Sequence, residues 1–125
     1  MNSIVNKSGE TIAFLLQNMI LDISQEKVIG LILGNCVFGS QNIPTGKLFN
    51  NTFHKKNGRI IARLGKYVSL GLKKLPEGSN LLLQAWQILK RVNNHDCSWI
   101  DEKKSWTKQN FLEYLSVEKE LVEVD

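Results

Sequence analysis

The chain has 125 residues, 42% apolar and 22% charged, with two prolines and a net charge of +4. This composition suits a single folded domain over 1–125 with a core of its own, and it excludes a disordered or low-complexity chain. Cys36 and Cys97 form no CxxC or Cys/His ligand pattern, so neither a disulfide framework nor a metal site is expected and a reducing compartment fits best.

The longest apolar stretch in the N-terminal third, 12–21, is broken by Gln17 and Asn18 and falls far short of the ~20 residues a membrane span needs. Glu10 precedes it and no small-residue cleavage site follows, so the expectation is an unprocessed cytoplasmic protein with no membrane partner. The charge is unevenly spread. Residues 47–91 carry ten Lys and Arg against Glu77 alone, a balance of +9, whereas 92–125 stand at −4 and 1–46 at −1.

In chain order, Ile12, Leu15, Leu16, Met19 and Ile23 recur at three- and four-residue steps, which predicts a helix over 8–23 capped by Ser8; a strand at 11–16 is the rival. From Lys27 the texture becomes β-branched and glycine-rich, which favours a long strand that curls, as in a small barrel. Pro44 and Gly46 mark a turn. The alternation of Phe49, Asn51 and Phe53 against Leu48, Asn50, Thr52 and His54 predicts one half-buried strand. Asn57–Gly58 accepts the positive φ of a type I′ turn, so 47–63 is predicted to be a hairpin. Gly65 permits a second reversal into a strand from Tyr67 to Leu70.

Pro76, Glu77 and Gly78 close the strand region, and Ser79 or Asn80 caps a helix whose inner face is predicted to be Leu82, Ala85, Trp86, Leu89 and Val92. A last helix is predicted over 108–121, capped by Thr107. No internal repeat is evident.

The run from Ile29 to Gly71 resembles a module of small uncharacterised accessory proteins carried by prophages and mobile elements. Gly34 and Gly39 bound a strand, Pro44 and Gly46 make a P-x-G turn, and a strand with Thr52, a hairpin at Gly58 and a "YxLG" strand with Tyr67, Leu70 and Gly71 follow. Thr45 departs from the acidic residue commoner in that turn. The resemblance spans about a third of the chain; it implies a small β-meander and an accessory gene, and carries no active site.

Chemistry is thin. A zinc site needs about four ligands and a thiol nucleophile needs an adjacent base, and neither His95 with Cys97 nor Cys36 with His54 has the spacing for either. No phosphate loop or paired acid and base appears, so no catalytic residue, metal or cofactor is expected. The basic residues Lys55, Lys56, Arg59, Arg63, Lys66, Lys73 and Lys74 would bind phosphates if they converge, with Phe49, Phe53 and Tyr67 as stacking platforms. Alternatively those aromatics fill the core, the lysines keep sheet edges soluble, or the basic sheet docks the acidic C-terminal segment of its own chain. Trp99 and Trp106 each anchor a partner or cover the core.

The fold expected from these readings is α+β, a central antiparallel meander of about four strands that curls into at most a partial barrel, flanked by an N-terminal helix and two C-terminal helices. The function expected is a non-enzymatic protein-binding accessory factor, an immunity- or antitoxin-type inhibitor that occludes another protein through a sheet edge or the 99–106 connector. The alternative is a nucleic-acid-binding protein that uses the basic centre.

Overall fold

The computed structural model describes residues 1–41, 43–68, 80–92 and 96–116. Eight strands run in chain order: β1 (Asn2–Val5), β2 (Thr11–Leu16), β3 (Met19–Leu21), β4 (Val28–Leu33), β5 (Cys36–Phe38), β6 (Gly46–Phe49), β7 (Thr52–Lys55) and β8 (Ile60–Tyr67). Helices α1 (Asn80–Leu89) and α2 (Phe111–Ser116) follow. Each strand pairs antiparallel with its neighbour in sequence, and β8 pairs with β1, so the sheet closes into a barrel. Closure leaves every strand partnered on both sides, which removes the edges that antiparallel sheets otherwise expose.

Local chemistry explains the reversals. Asn50 and Asn51 both take positive φ (51° and 60°), the two-residue geometry of a tight hairpin, and Gly34 does the same at 62° between β4 and β5. Gln17 occupies the equivalent position between β2 and β3 with φ 55°. The turn after β7 is longer: Lys55 N donates to Arg59 O (2.8 Å) and Gly58 N to Lys55 O (2.9 Å).

The register repeats four times around the barrel. Ile4 lies between Leu64 and Ala13, Ile20 between Leu15 and Gly30, Val37 between Ile32 and Gly46, and Phe53 between Leu48 and Ala62. Each bulky residue is thus flanked by Leu or Ile on one side and by Ala or Gly on the other. The unit is a hairpin of about sixteen residues, and the first copy, centred on Ile4, is completed by β8 from the other end of the chain. Eight strands enclose a space that side chains alone can fill, and these residues fill it together with Phe111, Tyr114 and Leu115 of α2.

The small residues of the repeat admit α2 as a plug. A Cβ on Gly46 would overlap the Tyr114 hydroxyl, and one on Gly39 would overlap the Leu115 carbonyl. Thr45 Oγ1 donates to Tyr114 O (2.6 Å), Ser40 N to Leu115 O (2.8 Å) and Tyr114 Oη to His54 O (3.0 Å), so the plug is fixed by one side-chain and two backbone groups of the wall. Asn110 and Glu113 cap α2 reciprocally, side chain to backbone in both directions (2.8 and 3.4 Å).

The outer face of β2–β5 is buried as well. Leu81 and Ile88 of α1, with Cys97 and Ile100, pack on Leu21, Val28, Leu31, Cys36 and Phe38. Gln84 locks this contact by accepting from Val28 N (2.7 Å).

Several expectations are corrected. The α+β meander of about four strands, or partial barrel, is a closed eight-stranded barrel with two short helices among the described residues. The N-terminal helix over 8–23 is β2 and β3, because Gln17–Asn18 turns the chain and Phe14 and Leu15 face opposite sides. The strand expected across 48–54 is two strands split at Asn50–Asn51. No reversal occurs at Gly65, where β8 runs on to Tyr67; Leu70 and the turn at 76–78 lie outside the described residues. α2 starts at Phe111 under an Asn110 cap rather than at 108 under Thr107. The hairpin repeat was invisible to identity because it is written in side-chain size at one register position.

Candidate partner-binding surface

The outer wall at β6, β7 and the start of β8 is crossed by residues 100–107. Ile60 bridges Trp106 in parallel, with Ile60 N donating to Ser105 O and Thr107 N to Ile60 O (both 2.8 Å), and Lys103 N donates to Gly58 O (3.0 Å). This strap draws in two of the central cations. Lys47 is buried, donates through Nζ to Ile100 O (2.7 Å) and pairs with the Glu102 carboxylate. Lys55 is 2% exposed and its Nζ donates to Thr107 Oγ1 (3.2 Å). A buried ammonium needs such partners, since leaving one unpaired costs several kcal/mol, of order those for any buried charge.

Lys56 and Arg59 are half-buried at the β7–β8 turn, Arg63 lies 5.4 Å from the Trp106 ring centroid, and Lys66 is exposed towards the end of β8. Lys73 and Lys74 lie outside the described residues. The three aromatics also part company: Phe53 is in the barrel core, Phe49 is 40% exposed and Tyr67 is exposed on the outside.

Glu102 shows how the strap is held. The hydrogen bond from Lys47 holds its carboxyl below the ordinary 4.5, outweighing the opposing effect of burial. A lowered value means the charged form is favoured by folding, so its contribution is present above pH 4.5 and is lost as pH falls through the lowered value. Glu102→Gln should therefore make the loss of stability between about pH 7 and about pH 3.5 shallower, read as the shift of the urea midpoint. Equal slopes for variant and native chain contradict the pairing.

Cys36 and Cys97 are both buried thiols, not joined in a disulfide, in the cluster beneath α1. Burial, then the neighbouring Cys97 thiol, push Cys36 up to about 12, so at neutral pH Cys36 is a thiol and a poor nucleophile. His54 is buried and donates from Nδ1 to Gly58 O (2.8 Å), a structural bond within its own turn. His95 lies outside the described residues. Among the described residues no group of three or more His, Cys, Asp or Glu is placed to hold a metal ion, and no helix is long and apolar enough to cross a membrane.

The tryptophans divide. Trp106 is half-buried against the wall under Arg63, whereas Trp99 is 55% exposed and donates from Nε1 to Asp96 O (3.0 Å), which orients the ring on the surface. The surface that sequence reasoning missed is α1. Trp86, expected in the core, is 57% exposed, and Leu82, Leu83 and Leu89 are exposed beside it. Leu81, Ala85, Ile88 and Val92 face the barrel instead. A helix that buries one apolar stripe and shows a second to solvent carries the usual mark of an element covered on both sides. The available signal was that two stripes, 81/85/88/92 and 82/86/89, fit the same segment equally well. No acidic residue occurs in α1, and Lys90 and Arg91 follow it directly, both exposed.

Comparison of the chain with protein-family models, with curated proteins and with solved structures gave no match.

Proposed function

We propose that this chain is a non-enzymatic protein-binding module that inhibits its partner by covering it, the role of an immunity- or antitoxin-type factor. The single observation that supports this reading is the exposed apolar stripe of α1, Leu82, Leu83, Trp86 and Leu89, with Trp99 exposed as well. Burying a leucine side chain contributes about 1.5–3 kcal/mol, and tryptophan is over-represented among the residues that dominate interfaces. Lys90 and Arg91 at the end of the stripe favour an apolar partner groove with an acidic rim.

The nucleic-acid reading draws less support, because Lys55 of its residue set, and Lys47 beside it, are engaged by the chain's own strap. Affinity capture from the native host separates the two. The expected result is a discrete protein retained at about 0.5 M salt, where phosphate contacts weaken steeply, and lost when Leu83 and Trp86 are both replaced by glutamate. Recovery of nucleic acid that washes off with salt, indifferent to those two substitutions, would overturn the proposal.

A further inference from the structure

The plug, α2, contacts several parts of the wall. Its tightest contacts are with the third hairpin, β5–β6, at Gly39, Ser40, Thr45 and Gly46. Over the opposite part of the rim, formed by β1, β2 and β8, a cavity of about 520 Å³ opens between the barrel wall and residues 106–112. The repeat explains why there is a floor to this cavity. Register shifts leave Ile12 and Ile61 unpaired, each just before the small residue of its hairpin. Thr45 holds the equivalent position in the third hairpin, where the Tyr114 carbonyl covers it. Ile12, half-buried, lines the cavity with the exposed Ile23 and Leu112, above the buried side chains of Ile61 and Phe111.

The lining has a definite chemical sense. It holds two charged residues, Lys7 and Lys108, and no carboxylate, with Trp106 forming part of the wall. Arg63 against the Trp106 ring places a third positive charge close by. Glu10, in the same turn as Lys7, is bound by Asn6 Nδ2 (2.8 Å). Ligand pockets commonly lie at barrel mouths, measure about 300–1,000 Å³, and combine apolar walls with a few polar groups that fix orientation.

We propose that this cavity binds a small amphipathic anion, with its apolar body along Ile12, Ile23 and Leu112 and its carboxylate, or a comparable acidic group, at Lys7 and Lys108. This site is independent of the α1 surface and does not depend on the protein-binding reading. Decanoate is a suitable probe, with decyltrimethylammonium as the control that keeps the tail and reverses the charge. Titration of the full chain, followed by the methyl NMR signals of Ile12 and Ile23, should give saturable shifts with decanoate and none with the cation. Lys7→Glu combined with Lys108→Glu should weaken decanoate binding at least tenfold. Methyl signals that stay still, that respond equally to the cation, or that report unchanged affinity in the charge-reversed chain would each overturn the proposal.

Discussion

Phe53→Ala should cost about 3–5 kcal/mol, whereas Phe49→Ala, four residues away in the same hairpin, should cost less than about 1 kcal/mol. Phe53 is fully buried between Leu48 and Ala62 and meets Phe111 edge to face, with ring centroids 5.3 Å apart. Its removal empties the barrel centre and takes away the plug's main apolar support. Phe49 lies on the outside, 40% exposed, with Lys47 Nζ 5.5 Å from its ring. A domain of this size holds only about 5–15 kcal/mol in total, so the Phe53 variant should melt roughly 10–20 °C lower. Thermal unfolding of the two variants side by side checks this. Equal losses would mean that both rings share one face of one strand, as simple alternation suggests.

The second large effect concerns α1. Leu83→Glu with Trp86→Glu should weaken partner binding more than 100-fold, equivalent to about 2.8 kcal/mol, while leaving the melting temperature nearly unchanged, because both side chains are exposed in the free protein. Leu81→Glu is the contrasting variant. Leu81 packs beneath α1 in the buried cluster, so its replacement should lower stability itself. A fall in melting temperature for the Leu83/Trp86 pair would place that face against the barrel and remove the basis for the binding surface.

The features that local chemistry controls were legible in the sequence. The β-branched, glycine-punctuated run after Lys27 is extended as expected, although it is two strands, β4 and β5, turned at Gly34 rather than one long strand; Gly58 sits in the hairpin turn before β8, and a helix begins at Asn80. The N-terminal segment misled because Ile12, Leu15, Leu16 and Met19 satisfy helical spacing, while Phe14 and Leu16 face outward and Ala13 and Leu15 inward in a strand that is buried on both sides. Burial on both faces erases the alternation that normally marks a strand. Closure had no local signal, since it joins Ile4 to Leu64 across sixty residues. The repeat was hidden because Ala13, Gly30, Gly46 and Ala62 share only small size.

For the candidate surface, Trp99 stood out by its polar surroundings. Trp86 did not, because a helix with two apolar stripes gives no internal clue to which one faces the core. The cations at Lys47 and Lys55 were legible as charge but not as partners of residues 100–107, since that pairing is tertiary.

Every surface described here is built on a barrel that closes through β1 and β8. The direct test is NMR on the isotope-labelled full chain, seeking cross-strand proton contacts from Ile4 to Ala13 on one side and to Leu64 on the other. Closure predicts both sets. Contacts to Ala13 without those to Leu64 would show an open sheet and contradict it.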